Sequence, residues 1–515
     1  MRQTHDTLNT RARDGSPRRR PVPSFSAGLA GFVVALTMSG QVLGNEPGAR
    51  SLDLTLKEGI RLTLKNNRRL VNARLDREVQ RFSLRVSENR FLPHATVGPY
   101  LERSHTAPGT DATRGGVSTA VTLLVPTGGE FGVRWSLGGG VGGDVPSSER
   151  YSNELRLTFR QPLLRGAGIG VNRAPVEIAR LTEEINVLAL KQTIIGIVSS
   201  VIGRYLAYMQ AERRVEISVE SLRRARELLA VNKELVRTGR MARRDIVQTE
   251  ADIARRELEL IAARNAQDAA RLALTDILDI DGGTRIRLTD TLTGVLAPDP
   301  ARPGVAGSIE TALRNRPDYE RALLGVRNAE TRLRLAGNKR LWDLSVSASM
   351  NFVHADEDAL EAARRFRNTG YTLSLDLTAP LGPAAVDTRE QEYVKAAVDL
   401  RKARNDLAEL RQRIYIEASN AVREVKLSGR QVESARTVRK LMQEKKEFER
   451  EKLRLGLSSN FRLAKFEDDL VAAENTQLDA MIFNLGSLAS LDRVLGTTLE
   501  RWDIEIVDLD RGVPR

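Results

Sequence analysis

Side chains that commonly carry chemistry are scarce in this chain. It has no cysteine, which excludes disulfides, thiolate metal sites, a cysteine nucleophile and an N-terminal lipid anchor on cysteine. The histidines His5, His94, His105 and His354 are scattered without helical ligand spacing, so we expect no metal site. The segment GAGIG at 166–170 resembles a dinucleotide-binding loop, but its third glycine comes one residue early. A strand-to-helix corner explains it better, and we expect neither a catalytic site nor a cofactor.

A duplication organises the elements of the chain. Residues 60–97 recur at 309–346 with a constant offset of 249 and no gap. The identical positions are Ile60/Ile309, Leu64/Leu313, Asn66/Asn315, Ala73/Ala322, Leu75/Leu324, Leu84/Leu333, Arg85/Arg334, Asn89/Asn338, Leu92/Leu341 and Val97/Val346. Several of these positions are three, four or seven residues apart, which predicts an amphipathic helix that leads into a strand. Because the period is too long for a solenoid, we expect two halves of one body.

The N-terminal segment indicates export. Residues 1–44 have the order of a secretory leader: an arginine-rich start, an apolar run from Phe25 to Met38, and a plausible cleavage site after Gly44. The alternative for the arginine run is a nucleic-acid-binding arm. The formal net charge is +13, and beyond the leader Lys and Arg alternate with Glu and Asp, as on solvated helix faces. We therefore expect no nucleic-acid partner.

The mature chain lacks an obvious spanning helix in its sequence. Residues 194–209 come nearest to the roughly 20 apolar residues that such a helix needs, but Arg204 interrupts them. An exported chain of this kind is either soluble or inserted as a β-barrel, the other spanning structure whose backbone groups are all hydrogen-bonded.

Two regions, 94–161 and 342–381, have the glycines and the alternating polar and apolar residues of strands and turns. Aromatic residues collect in or beside them, as in the interface girdles of a membrane barrel: Tyr100, Phe131, Trp135, Tyr151, Phe159, Trp342, Phe352 and Tyr371. A water-soluble sheet is the alternative. The first region is much longer and has room for an additional hairpin that turns at Gly128 and Gly129. Either the barrel gains strands or this hairpin lies outside it, and we favour a long extracellular or folded-over hairpin.

Very long helices follow each strand region. Apolar residues at steps of three and four predict helices over 171–236 and 384–454, each roughly 100 Å long at about 1.5 Å per residue. Both patterns turn at a glycine, Gly239 and Gly456, and return as helices about half as long. Two half-length helices, such as 56–91 and 245–279, would stack end to end beside one long helix. The sequence therefore predicts a wall of uniform height with strands at one end.

Taken together, these features resemble the TolC-type outer membrane factors. The resemblance is carried by GIRLTLKNNRRL and SIETALRNRPDY, the corner QPLLRGAG, the two glycine tips, and FNLGSLASLDRVLGTTL near the end of the chain. It implies a mainly α fold with a membrane β-barrel portion. In this family, duplicated long α-hairpins form a trimeric α-barrel, capped by an antiparallel β-barrel to which each protomer gives four strands. Separately, an exposed coiled-coil wall must bury its apolar seam against neighbouring protomers, which makes the oligomer obligatory.

The resemblance also implies a function, a location and partners. The chain would be the outer membrane channel of a tripartite efflux pump or a type I secretion system, a passive conduit across the periplasm and the Gram-negative outer membrane. Its partners would be two further copies in a homotrimer, outer membrane lipid, a periplasmic adaptor (membrane fusion) protein, and an inner membrane RND, MFS or ABC pump. The alternative is a periplasmic coiled-coil adaptor or scaffold, which would share the helices but usually has one hairpin between lipoyl and barrel domains.

This interpretation divides the chain into five parts. They are a signal peptide at 1–44, a first repeat at 45–282, a linker at 283–307, a second repeat at 308–496 and a C-terminal tail at 497–515. The hairpin tips at Gly239, Asp245 and Gly456 would dock the adaptor.

A ring of charge at the gate is a further expectation. In the family, two aspartates stand six and nine residues after the second tip glycine and line the closed aperture. Those positions here are Arg462 and Lys465. In the first tip, the residue six positions after Gly239 is still acidic, Asp245. Three copies would form a positive ring with weak anion preference. The alternative is that both bases face solvent or pair with Glu467, Asp468 or Asp469 one turn away.

Overall fold

The computed structural model describes residues 51–106, 110–141, 150–239, 241–296, 304–366 and 368–505. The predicted leader and the last ten residues of the tail lie outside these ranges, so the structure does not test them.

The first half of the chain contains helices and strands in the predicted order. In sequence they are β1 (Ser51–Leu54), α1 (Leu56–Asn66), α2 (Arg68–Glu88), β2 (His94–Thr106), β3 (Thr110–Leu124), β4 (Glu130–Val141), β5 (Tyr151–Pro162), α3 (Ile169–Asn172), α4 (Ala174–Arg237) and α5 (Arg244–Leu278). A single turn of 3-10 helix, Asn89–Phe91, leads from α2 towards β2.

The second half repeats this order with fewer strands. Its elements are β6 (Arg285–Leu288), α6 (Val305–Asn315), α7 (Pro317–Lys339), β7 (Asp343–Asp356), α8 (Ala359–Arg364), β8 (Asn368–Thr378), α9 (Pro383–Arg454), α10 (Asn460–Leu495) and α11 (Thr498–Arg501). By the repeat offset of 249, β2 corresponds to β7, and by its position directly before the corner, β5 corresponds to β8. The pair β3 and β4 has no counterpart among the described residues of the second half.

The long helices match the predicted lengths. Helix α4 has 64 residues and α9 has 72, which correspond to about 96 Å and about 108 Å. The predicted single helix over 56–91 is instead broken between α1 and α2. Asn67 stands at the break with extended backbone angles, and its side-chain oxygen accepts hydrogen bonds from the backbone N–H groups of Arg69 and Leu70. The repeat places a break at the equivalent Arg316, where Pro317 begins α7.

The helices pack as the predicted wall. Helix α4 contacts α2 and α5 on one flank and both α7 and α10 on the other, and α9 contacts α7 and α10. Half-length helices therefore accompany each full-length helix.

The largest apolar core lies midway along this wall. It combines residues 190–209 of α4 with α1, α5 and the parallel pair of β1 and β6. Helix α4 is long and apolar enough to pass a composition test for a membrane span. However, Ile194, Val198 and Tyr205 in its apolar segment are fully buried inside the protein. The apolarity of α4 is thus explained by this core.

The predicted linker at 283–307 contains structure of its own. Strand β6 pairs in parallel with β1, and Ile286, Val295 and Leu296 are buried in the core. Beyond α10, Leu499, Trp502 and Ile504 of the predicted tail also pack against this core.

The other six strands form one antiparallel sheet, in the order β2-β3-β4-β5-β7-β8. Strand β3 pairs with β2 and β4, and β4 pairs with β3 and β5. The extra hairpin therefore lies within the sheet and is not folded over it, which contradicts the folded-over arrangement. Its strands extend the sheet because they carry the same alternation of side chains as their neighbours.

Candidate functional site: a two-faced sheet and two hairpin tips

One face of the six-stranded sheet is apolar on every strand. The register aligns the odd-numbered residues of β2 to β5 with the even-numbered residues of β7 and the odd-numbered residues of β8. Among them are Val97, Leu101, Val117, Val121, Leu123, Phe131, Val133, Trp135, Leu137, Leu155, Leu157, Phe159, Val346, Met350, Phe352, Tyr371, Leu373, Leu375 and Leu377. On β8 the last four of these are between 58% and 83% exposed. An apolar band that the chain itself leaves largely exposed suits a lipid environment.

The opposite face of the sheet is polar. It carries charged residues in cross-strand register, with Glu102 opposite Arg114 and Glu130 opposite Arg160. Serines and threonines fill much of the remainder, including Ser347 and Ser374, which are opposite each other. Opposite charges on paired strands stabilise a sheet whose polar face meets water. The sheet is thus built like the wall of a barrel that has lipid outside and water inside.

The two strand-to-helix corners stand at the same end of the sheet. Each has a glycine with positive φ as the residue before a helix, Gly168 (+96°) before α3 and Gly382 (+92°) before α9. In the first corner, the backbone N–H of Gly166 donates to Oδ1 of Asn338 at the end of α7, at 2.8 Å. The segment GAGIG is therefore a corner, as the sequence predicts.

The far end of the sheet carries a short helix that the sequence did not reveal. Helix α8 packs against β5 and β7, and Ala362 is fully buried. Asn153 accepts a hydrogen bond from Nε1 of Trp135 at 2.7 Å and donates to the carbonyl oxygen of Ala363 at 3.1 Å.

Both hairpin tips turn at the predicted glycines. Gly239 and Gly456 have positive φ values of 72° and 75°, the left-handed conformation that ends a helix with little strain only at glycine. After Gly456, the N–H of Leu457 returns to the carbonyl oxygen of Lys452 at 2.8 Å. Asp245 lies in the first turn of α5, and its side chain is outside the part of the chain that the structure describes.

The two candidate gate residues lie in the first turns of α10. Arg462 is exposed. Lys465 is also exposed, and its Nζ is 3.2 Å from Oδ1 of Asp469, one helical turn away. Within one protomer, Lys465 therefore forms the ion pair with a neighbouring acidic residue that is the alternative to a charged ring.

A cluster of charges joins the two hairpins near their tips. Asp468 of α10 accepts hydrogen bonds from Nη2 of Arg255 and of Arg256, both on α5 and both at 2.8 Å. Arg256 is almost fully buried. Glu467 accepts from Nε of Arg224 on α4 at 3.0 Å. Hydrogen bonds to Asp468 and then to Asp252 raise the pKa of Arg255 above its ordinary value.

Sequence reasoning missed this cluster. The adjacent bases Arg255 and Arg256 follow Gly239 by 16 and 17 residues, whereas the acidic run Glu467, Asp468 and Asp469 follows Gly456 by 11 to 13 residues. These unequal spacings gave no signal that the two groups meet. The described residues contain no group of His, Asp and Glu side chains that could hold a metal ion.

Comparison with known proteins shows a class to which this chain is similar, the outer membrane efflux proteins. The family model described as outer membrane efflux protein matches residues 59–279, which cover most of the first repeat. No curated protein matches the chain. The resemblance inferred from the sequence is confirmed, and the adaptor alternative is not supported.

Solved structures extend the likeness to the whole fold. The open state of the MtrE outer membrane channel of Neisseria gonorrhoeae is 16% identical, with a TM-score of 0.66 over 88% of this chain and 93% of that chain. The CmeC outer membrane channel of Campylobacter jejuni is 15% identical, with a TM-score of 0.64 over 96% and 98%. The outer membrane protein VceC of Vibrio cholerae is 13% identical, with a TM-score of 0.66 over 86% and 96%. At these identities the likeness establishes the fold.

Proposed function

We propose that this protein is the outer membrane channel of a tripartite efflux pump or a type I secretion system. It conducts cargo passively across the periplasm and the Gram-negative outer membrane and performs no catalysis. The observation that carries the proposal is the two-faced sheet at one end of a helical wall about 100 Å long. The sheet has the build of a membrane barrel, and the wall has the length to cross an aqueous compartment.

The working form is a homotrimer. Helix α2 lies on one flank of the wall and exposes an apolar stripe at helical spacing, made of Val71, Leu75, Val79, Phe82 and Val86. The opposite flank is α9, which exposes Val386, Val394 and Val398. The described residues of a single copy leave both stripes exposed, and the flank of a neighbouring copy would cover them.

Fractionation of a Gram-negative host that expresses the full chain tests this proposal. We expect the protein in the outer membrane, resistant to alkaline extraction, and migrating as a trimer in detergent gels until it is heated. A soluble monomer in the periplasm would overturn both the channel and the trimer.

The partners are a periplasmic adaptor and an inner membrane RND, MFS or ABC pump. The adaptor docks at the hairpin tips around Gly239, Asp245 and Gly456. The apolar residues Leu455, Leu457 and Phe461 at the second tip support a docking role, since they are 66–71% exposed within the described part of the chain. Cross-linking from Leu457→Cys to a co-expressed adaptor would detect the contact, with Leu427→Cys, exposed midway along α9, as the control.

Arg462 and Lys465 are proposed to line the periplasmic aperture as a positive ring and to give the channel a weak anion preference. Because Lys465 pairs with Asp469, we expect Arg462 to contribute more of the ring's potential. The test is the reversal potential of single channels in a planar bilayer. Arg462→Asp/Lys465→Asp should shift ion preference towards cations, whereas Lys395→Asp/Lys402→Asp, on exposed positions of α9 far from the tip, should not. An unchanged ion preference in the first variant rejects the ring.

A further inference from the structure

We propose that the extra hairpin of β3 and β4 forms two wall strands of the membrane barrel, so that three copies close a barrel of eighteen strands. This inference rests on the proposed trimeric channel. It differs from the four strands per protomer that the family resemblance implies.

The first support is the unbroken pairing of the hairpin with its neighbours. Strand β3 pairs with β2 from Thr106 opposite Thr110 to His94 opposite Thr122. Strand β4 pairs with β5 from Glu130 opposite Arg160 to Gly139 opposite Tyr151. The hairpin thus separates β2 from β5 along their length, and its removal would leave a gap of two strands.

The second support is the alternation of side chains within the hairpin. Val117, Val121, Val133 and Leu137 continue the apolar face of the sheet. Ser118 opposite Ser136 and Arg134 opposite Ala120 continue the polar face. A hairpin in water would gain nothing from the apolar face, and a plug inside the barrel would expose that face to the aqueous lumen. A strand in the barrel wall requires an apolar face towards lipid and a polar face towards the lumen.

The third support is the attachment of the hairpin turn to the first corner. The backbone N–H of Gly168 donates to the carbonyl oxygen of Thr127 at 3.0 Å, and Nε2 of Gln161 donates to the same oxygen at 3.3 Å. Gly128 has a φ of +98°, and a Cβ built there would lie 2.4 Å from the carbonyl oxygen of Gly166. The turn therefore stands level with the corner and cannot swing away from it.

The strand count allows closure. The sheet ends in β2 and β8, which each have one neighbour. Because the sheet has an even number of antiparallel strands, its two edges run in opposite directions. The β8 edge of one copy can therefore pair antiparallel with the β2 edge of the next.

The resulting barrel would be wide. Six strands from each of three copies make eighteen, and the diameter of a barrel grows roughly linearly with strand number. Its circumference is thus about one and a half times that of a twelve-stranded barrel. Barrels of 16–18 strands leave an aqueous channel. The outer membrane section of this channel would therefore admit bulkier cargo than a twelve-stranded one.

The natural absence of cysteine allows a direct test. Single cysteines are placed on the polar face of the hairpin (Ser118→Cys, Ser136→Cys) and on its apolar face (Thr119→Cys, Leu137→Cys). The control pair is on β8, with Ser374→Cys on the polar face and Leu373→Cys on the apolar face. Each variant is treated in outer membrane vesicles with a charged, water-soluble maleimide and, separately, with a lipid-soluble one.

We expect at least tenfold faster aqueous labelling on the polar face than on the apolar face, in the hairpin as in β8, and the reverse preference with the lipid-soluble reagent. If β8 alternates but both faces of the hairpin label alike from water, the eighteen-stranded barrel is overturned and the channel stands. If β8 itself fails to alternate, the membrane location fails with it. Two positions per face keep the test decisive should one variant misfold.

Discussion

The two repeats use the same wall but different amounts of sheet. From Val97 to the corner at Gly168 is 71 residues, whereas from Val346 to the corner at Gly382 is 36. The difference of 35 residues is accounted for by the β3–β4 hairpin and its connections. With these two additional strands, β5 still enters its corner in the same direction as β8 does in the second repeat, and the side chains of the sheet still alternate between its two faces. A sheet can therefore be widened by a hairpin without any change in the helices that follow it.

The repeats also differ in their cores. The large core gathers around α4, together with β1 and β6. The smaller one joins α9 to α6 and the end of α10 through Ala312, Ile414 and Ala418. The first long helix is thus held by a packed core at mid-height, while much of α9 depends on partners along the wall.

Gly128→Ala should have the largest effect on stability. Comparing it with Gly382→Ala distinguishes the corner that is attached to the extra hairpin from the corner that has no such hairpin. Alanine at Gly128 must adopt positive φ and also collides with the carbonyl oxygen of Gly166, so we expect a loss of about 2–5 kcal/mol. Gly382→Ala has the same backbone strain but open space around it, so its cost should be about 1–2 kcal/mol. Urea unfolding in detergent, followed by circular dichroism, measures both. Equal losses would mean that the hairpin turn is not fixed to its corner.

Tyr205→Phe tests the difference between the cores. Tyr205 is fully buried, and its hydroxyl lies 2.8 Å from Oδ2 of Asp290, which also accepts from the N–H of Leu56. Removing the hydroxyl leaves a carboxylate that has lost one of its donors, so we expect a loss of about 1–2 kcal/mol. Tyr415→Phe on α9 is the control, since that side chain is 57% exposed and should change stability little. A loss at Tyr415 that matches the loss at Tyr205 would contradict the unequal cores.

The sequence predicted the features that depend on local pattern. The long helices, the glycine tips and the paired corners follow from periodicity and from the backbone freedom of glycine, which act within a few residues. The position of the extra hairpin did not follow. Its alternation was visible in the sequence, but membership of a sheet is decided by pairing with β2 and β5, which lie on either side of the hairpin in the chain.

Long-range charge pairs were equally hidden. Asp468 meets Arg256 across 212 residues, and no local signal links the two. The breaks in the short helices were missed for another reason, since Asn67 fits a helical pattern and acts as a cap only because the chain bends there. The helix break at Arg316 was not predicted either, although Pro317 follows it.

Asn67→Ala compares the two helix breaks, which use different chemistry at equivalent positions. Asn67 caps α2 through its side chain, whereas Arg316 makes no cap and instead binds Asp318 and Glu417. Loss of a side-chain cap typically costs about 1 kcal/mol. Asn67→Ser keeps a capping oxygen and should retain most of the stability. If Ser and Ala destabilise the protein equally, the cap does not hold the break.

The smallest effect should be the pH dependence of the second break. Burial alone would raise the pKa of Asp318, but hydrogen bonds from the Arg316 guanidinium outweigh it and hold the pKa below the ordinary 3.8. A carboxyl group with a lowered folded-state pKa stabilises the protein above its unfolded pKa, and that contribution is lost as the pH falls through the folded value. Asp318→Asn should therefore lower stability at pH 7, by less than about 1 kcal/mol, and the deficit should shrink below pH 4. The deficit of Asn67→Ala should be the same at both pH values, because an amide does not titrate. A deficit of Asp318→Asn that persists at pH 3 would show that the Arg316 pair does not stabilise the break through charge.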